Sequence, residues 1–173
     1  MKKTLIIALC CIIAMMTACK KEPEKPTNYA EQYAGSYLGS FAFTILTMNN
    51  EAVTNMTFPI DNIGMDITKG EEINAITATV TVDNETRQTT GTASLEKAEF
   101  NSVGVVIDKP DQHYCFNLDL KLEGTKPSAD SLNIIGTFTG NGTFEFMGET
   151  QVLDEISGTL SGKLAAQSSS NDN

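Results

Sequence analysis

The residues best suited to chemistry are a histidine and a cysteine two positions apart, His113 and Cys115, and this histidine is the only one in the chain. On a strand, residues separated by one position point to the same face, so the two side chains could hold one metal ion or form a reactive pair. That face is opposite the one carrying Tyr114, Phe116 and Leu118, which places the pair outside an apolar core. We therefore interpret them as a solvated histidine beside an ordinary thiol.

Other catalytic patterns are missing from the sequence. It has no nucleophile elbow, glycine-rich phosphate loop, metalloprotease helix or Ca²⁺ loop. Acid pairs such as Glu71-Glu72 and Asp154-Glu155 could serve a glycosidase only if a cleft held two carboxyls within about 5–10 Å. Haem ligation by the single histidine and a methionine has no supporting spacing. We expect a protein that binds rather than catalyses, with no metal and no cofactor.

A second cysteine, Cys19, follows a segment that is typical of a secretory signal. A basic start leads into an apolar run at residues 4–16, and Thr17 and Ala18 are small. The run is shorter than the about 20 residues that span a bilayer. We therefore expect residues 1–18 to direct export and then to be removed.

Residues 16–19 (Met-Thr-Ala-Cys) resemble the lipobox of bacterial lipoproteins, with Met16 where leucine is usual. In those proteins cleavage falls before the cysteine, which becomes an acylated first residue. The resemblance implies a lipid on Cys19 that attaches the protein to a membrane. The charged residues 20–24 resemble the export tags of Bacteroidetes-type lipoproteins, which implies the outer membrane and a domain facing the periplasm or the cell surface. The alternative is an ordinary secretory signal that ends near a cysteine.

The charge of the chain limits its partners. The 173 residues carry a net charge of −10, and without Lys2 and Lys3 there are 10 basic against 22 acidic residues, so the mature protein is near −12. Such a surface repels nucleic acid and anionic headgroups and favours cationic partners. We expect no nucleic-acid binding. The alternative reading of the acidity is that it only keeps an exported domain soluble.

The remaining chain divides into a tether, one domain and a tail. Residues 19–32 are charged and interrupted by prolines, which predicts a flexible tether that ends in a short helix. Residues 33–166 suit one domain with one core, and the polar residues 167–173 are expected to be disordered. Three of the four cysteines lie at or before Cys19, so no disulfide framework can hold the core.

Alternation of apolar and polar residues predicts strands through most of the domain. In the clearest case, residues 113–123, every even position from Tyr114 to Leu122 is apolar. A period of two places one apolar face inside and one polar face outside. Weaker copies are separated by turn signals such as Asn49-Asn50 and Lys69-Gly70. Eight to ten strands of this kind predict an all-β, antiparallel sandwich or barrel.

One short motif recurs three times, at Gly35–Gly39, Gly136–Gly140 and Gly158–Gly162. Each copy reads glycine, serine or threonine, a large apolar residue, any residue, glycine. Both glycines share strand parity with the large residue, which suits strands that curl around a narrow barrel interior. The alternative is three unrelated strands that happen to contain glycine.

The first copy resembles the start of the barrel in lipocalins and other calycins, where a short helix leads into Gly-x-Trp. Here a helix over residues 29–34 leads into Gly35-Ser36-Tyr37, and Lys163 is a loose stand-in for the basic residue that covers the ring. The chain resembles the calycin-like β-barrel domain of Bacteroidetes-type lipoproteins more closely than it resembles lipocalins. The segments that carry this resemblance are Ala34–Gly39 and Ile156–Gly162. It implies a single antiparallel up-and-down β-barrel of about eight to ten strands. The family has no established general activity, so the resemblance implies fold more than function.

Such a barrel can enclose one small ligand. The absence of tryptophan favours an apolar or amphipathic ligand over a sugar. Seven aromatic residues could line the site: Phe41, Phe43, Tyr114, Phe116, Phe138, Phe144 and Phe146. The alternative is that these rings fill a solid barrel, whose acidic rim docks a cationic protein partner, such as a host defence protein, or an outer-membrane assembly.

Asp130-Ser131-Leu132 falls in a predicted exposed turn and resembles the O-glycosylation motif of Bacteroidetes-type exported proteins. The resemblance implies a glycan on Ser131, because the serine hydroxyl is the group that would carry it.

Overall fold

The structure is a computed structural model that describes residues 26–83 and 85–167, and for Asn55 the backbone alone. The predicted signal peptide, the lipid site at Cys19, the charged tag and all but the first residue of the predicted tail lie outside the described residues.

The described chain forms one short helix, one 3₁₀ turn and nine strands. Their order is α1 (Ala30–Tyr33), β1 (Gly35–Met48), β2 (Glu51–Lys69), β3 (Ala75–Val82), β4 (Glu85–Ala93), β5 (Ala98–Phe100), β6 (Val103–Lys109), the 3₁₀ turn (Pro110–Gln112), β7 (Tyr114–Ser128), β8 (Ser131–Phe146) and β9 (Glu149–Ala166).

The strands close into an antiparallel barrel. From β1 to β5 each strand pairs with the next, β7 pairs with β8 and β8 with β9. Two further pairings close the ring, β1 with β9 and β5 with β7, while β6 adds to the free part of β7. The prediction of a single antiparallel β-barrel is therefore confirmed.

The core lies inside the ring and follows the predicted alternation. Along β7 the even positions from Tyr114 to Leu122 are all buried, whereas the odd positions are exposed or half-buried. The same period appears in β3, where Ile76 to Val82 alternate with half-buried threonines. A pleated strand turns successive side chains to opposite faces, so the sequence period becomes the inside and the outside of the barrel.

The repeated glycine motif makes room for aromatic rings. Phe138 of β8 lies opposite Gly158 of β9, and Phe41 of β1 lies opposite Gly162. A Cβ atom at Gly158 would lie only 2.5 Å from Cζ of Phe138, so an alanine there would force the ring or the strand to move. The ring occupies the place of the missing side chain, which lets neighbouring strands curl tightly.

The two ends of the barrel differ. The helix end carries α1, whose Ala30 and Tyr33 are buried at 0% and 1% exposure. Gln32 Nε2 ties the helix to the β4–β5 turn by donating to the carbonyl oxygen of Ser94 at 2.7 Å. The opposite end, which we call the turn end, carries the turns β1–β2, β3–β4 and β8–β9 together with the 3₁₀ turn. The short helix therefore closes one end of the barrel. A binding site is expected at the other end, the turn end.

Candidate functional site

The barrel interior is filled by its own side chains. At the turn end a cavity of about 10 Å³ remains, and no polar surface lines it. A water molecule needs at least about this volume and two or more polar partners, so the cavity is too small and too apolar to hold one stably. It is lined by Phe43, Ile45, Phe58, Ile60, Ile107, Tyr114, Phe116, Leu118, Phe138 and Ile156.

Five of the seven predicted lining residues are buried inside the barrel: Phe41, Phe43, Tyr114, Phe116 and Phe138. The rings of Tyr114 and Phe116 stack with centroids 5.2 Å apart, and those of Phe43 and Phe138 are tilted at 5.6 Å. Pairs at these separations stabilise each other beyond their buried area. The structure therefore brings most of the predicted aromatic set together around the small cavity.

The cavity also contains one aromatic residue that the sequence prediction missed. Phe58 of β2 is half-buried, with its ring centroid 5.2 Å from that of Tyr114 and 5.7 Å from that of Phe116. Its parity with Ile60 on the same strand was the signal that could have identified it as an inward-facing residue.

Two predicted lining residues lie away from the buried set. Phe144 is half-buried against the edge of the core, and Phe146 is 57% exposed. The assignment of Phe146 to the interior is thus wrong. The end of β8 continues past the last core layer into the β8–β9 turn, so strand parity no longer means burial there.

Tyr114, whose ring lines the cavity, has a buried hydroxyl without a hydrogen-bond partner among the described residues, and Oδ2 of Asp83 is a second such atom. The other carboxylate oxygen of Asp83 pairs with the ammonium of Lys109. Burial raises the pKa of the Tyr114 phenol; Lys109 lowers this pKa and Asp83 raises it. The phenol therefore stays neutral and keeps its proton available for donation.

At the helix end a lysine covers Tyr37, the large residue in the first copy of the glycine motif. Lys126 Nζ donates to the hydroxyl of Tyr37 at 3.0 Å and lies 5.5 Å from the ring centroid. The hydroxyl in turn donates to the carbonyl oxygen of Tyr33 at 3.0 Å. The predicted stand-in, Lys163, is wrong, because its position on β9 faces solvent opposite Ser40. The basic residue that covers Tyr37 is instead Lys126 of β7, a strand that the closure of the barrel brings near this tyrosine.

His113 and Cys115 have different surroundings in the structure. His113 lies before the strand, in a left-handed conformation with φ of 58°, and its Nδ1 is 3.0 Å from Oε2 of Glu145. Burial, with a contribution from Asp108, raises the pKa of the half-buried Cys115 thiol, which keeps it protonated and unreactive at neutral pH. In the described part of the chain no group of three or more His, Cys, Asp or Glu residues could hold a metal ion.

Ser131 is the first residue of β8, directly after the turn that the sequence predicted. Its hydroxyl lies 2.8 Å from the hydroxyl of Ser128, and its side chain is half-buried. Asp130 is exposed, while Leu132 is buried at 0% exposure.

The β8–β9 hairpin presents apolar side chains to solvent among acidic ones. Phe146, Met147 and Val152 are 57%, 89% and 63% exposed. Residues 144–155 include four acidic residues and no lysine or arginine. An exposed apolar group rimmed by polar residues is typical of an interaction site. We call the following residues the tip surface: Glu145, Phe146, Met147, Glu149 and Val152.

The chain matches no protein-family model, and no curated protein gives a significant match to it. Among residues 26–83 and 85–167, no helix has the length and apolar composition needed to cross a membrane.

Proposed function

We propose that this is an exported, lipid-anchored β-barrel protein that docks a cationic protein partner through its tip surface. The observation that carries the proposal is the contrast between a filled interior and exposed apolar residues at the tip of the β8–β9 hairpin. Phe146 and Met147 supply apolar contact area at the tip, and Val152 adds to it on the opposite face of the hairpin. The surrounding carboxylates would steer a positively charged partner toward them.

A small apolar or amphipathic ligand in the barrel is the second candidate. It is favoured by the aromatic cluster around Tyr114 and by the hydroxyl of that residue, which is buried without a partner in the described residues. Because the cavity is only about 10 Å³, a ligand would have to displace side chains to enter. For this reason the docking proposal comes first.

The anchoring part of the proposal depends on Cys19. A lipid on this residue would hold the barrel at an outer membrane, facing the periplasm or the cell surface, as in calycin-like lipoproteins of the Bacteroidetes type. The barrel then acts as a rigid binding module rather than as an enzyme. Its acidic character also fits poor binding to nucleic acid.

The docking proposal is tested with a fluorescent peptide of alternating lysine and leucine residues, measured by anisotropy over a range of salt concentrations. We expect binding that weakens as salt rises, and a matched glutamate–leucine peptide should bind far less. Phe146→Ser should weaken binding by about tenfold or more, as expected for a central apolar contact.

Ile135 provides the matched control, because it is 55% exposed against 57% for Phe146 but lies within β8, away from the hairpin tip. Ile135→Ser should leave the affinity for the peptide unchanged. Equal effects of the two substitutions, or equal binding of both peptides, would show that the tip surface is not the docking site.

A further inference from the structure

The barrel wall has a seam between β4 and β6. In the described part of the chain no hydrogen-bonded ladder joins these strands, since β4 pairs with β3 and β5, and β6 pairs with β7. The strands part at a fork, where Thr89 Oγ1 donates to the carbonyl oxygen of Asn101 at 2.8 Å. Asn101 N donates to the carbonyl oxygen of Thr90, also at 2.8 Å. From the fork toward the turn end, side-chain packing rather than a ladder closes the wall, since Val82, Val105 and Ile107 stay buried there.

Two charged residues in the first half of β4 lie on the strand face that points inward, yet they remain exposed to solvent. Arg87 lies opposite Val80, and Glu85 lies opposite Val82, so both charged residues are on the strand face that is buried in β3. Nevertheless their side chains are 50% and 46% exposed, and they form an ion pair of 2.9 Å. Solvent therefore reaches the inward face of β4 along the seam.

The two unpartnered polar atoms lie near the turn-end limit of this seam. Tyr114 lies opposite Lys109 in the β6–β7 ladder, and Lys109 pairs across the seam with Asp83, which follows β3. Tyr114 is only 6% exposed, yet its hydroxyl and Oδ2 of Asp83 have no partner in the described residues. A buried polar group without a partner is costly, and native structures rarely keep one without a reason.

We infer that Tyr114 and Asp83 form the head-group site for a neutral amphipathic molecule that carries a hydroxyl group. Its apolar body would extend from this corner between the aromatic rings, which would have to move because the cavity itself is only about 10 Å³, and it would enter between β4 and β6. The inference rests on the second candidate function and names its ligand class and its polar contacts.

The hydrogen-bonding groups of Tyr114 and Asp83 favour a hydroxyl as the polar group of the ligand. The Asp83 carboxylate, which pairs with Lys109, can only accept, and the Tyr114 phenol can donate or accept, so a hydroxyl with one proton and free lone pairs satisfies both. A carboxylate has no proton to donate and would repel Asp83. An ammonium has no lone pair for the phenol proton and would add a second positive charge beside Lys109.

The test is an NMR titration of the protein with three probes of equal chain length, 1-hexanol, hexanoate and hexylamine. We expect 1-hexanol to bind most tightly and to shift the signals of residues that line the cavity, such as Ile107. Tyr114→Phe should weaken hexanol binding about threefold to tenfold, the usual effect of one hydrogen bond. Tyr29→Phe, which removes a phenol at the helix end, is the matched control and should leave binding unchanged.

The outcomes separate the inference from the function on which it rests. Equal hexanol affinity of Tyr114→Phe and the unaltered protein, or tighter binding of hexanoate, would refute the head-group site while the barrel remained a ligand-binding protein. If none of the three probes shifts any signal of the cavity residues, the small-ligand function fails together with the inference.

Discussion

Replacing Tyr114 with phenylalanine should stabilise the ligand-free protein, which is unusual for a substitution in a core. The change removes only the hydroxyl and leaves the ring, with its stacking on Phe116 and its contact with Phe58, in place. The hydroxyl is buried without a partner among the described residues. Unfolding returns it to water, so the folded state bears the desolvation cost of the group.

The size of the effect follows from that cost. A buried polar group without a hydrogen bond costs about 1–3 kcal/mol, and removing it recovers most of this amount. We take about 1–2 kcal/mol for Tyr114→Phe, since the vacated space also loses some dispersion contacts. For a domain of this size, that stabilisation raises the melting temperature by about 3–8 °C.

A second buried tyrosine gives the matched comparison. Tyr37 is 2% exposed, but its hydroxyl accepts from Lys126 and donates to the carbonyl oxygen of Tyr33. Tyr37→Phe breaks both hydrogen bonds and should therefore destabilise the protein by about 1–3 kcal/mol. The two substitutions remove the same atom and are expected to act with opposite sign.

The assay is urea denaturation followed by circular dichroism, with thermal melting as a second measure. Equal slopes of the free energy of unfolding against urea would show that the midpoints can be compared directly. If Tyr114→Phe lowers the stability as Tyr37→Phe does, the Tyr114 hydroxyl has a hydrogen-bond partner in the folded protein. It is then not free to bind a head group.

Three further predictions concern other parts of the chain. Gly158→Ala should cost about 2–4 kcal/mol of unfolding free energy in urea titrations, because its Cβ would clash with the backbone carbonyl oxygen of Thr44 and lie 2.5 Å from the ring of Phe138. Gly104→Ala, whose nearest contact would be 3.4 Å away, should change little. Burial is the main cause of the raised pKa of Cys115, and Asp108 raises it further, so Asp108→Asn should lower that pKa and speed alkylation by iodoacetamide at mildly alkaline pH; an unchanged rate would contradict this coupling. Metabolic labelling with radioactive palmitate should mark the exported protein and should be lost in Cys19→Ser, while label retained by this variant would place the lipid elsewhere.

The strands and the inward-facing residues could be read from the sequence to a large extent. The alternation from Tyr114 to Leu122 correctly gave the buried face of β7, and the glycine motif correctly indicated a tightly curled barrel wall. Both features are local, because strand parity and the space above a glycine are set by the backbone of one or two neighbouring strands. Phe146 was misplaced because parity says nothing about where the core ends along a strand.

The composition of the candidate sites depended on contacts between distant parts of the chain. Lys126 covers Tyr37 from 89 positions away, so no spacing rule pointed to it, and Lys163 was named instead. Asp83 and Lys109 are 26 positions apart and meet only because the fold brings the end of β6 beside the β3–β4 turn.

The alternation of residues along the chain is enough to predict an antiparallel β structure with an apolar inner face, because a period of two is a property of the strand backbone. Only the folded barrel shows that the interior is filled, that no ladder joins β4 to β6 in the described residues, and that the phenol of Tyr114 is buried there without a partner. These features depend on how the strands register and close around the ring, and that arrangement is set by the packing of all the strands together.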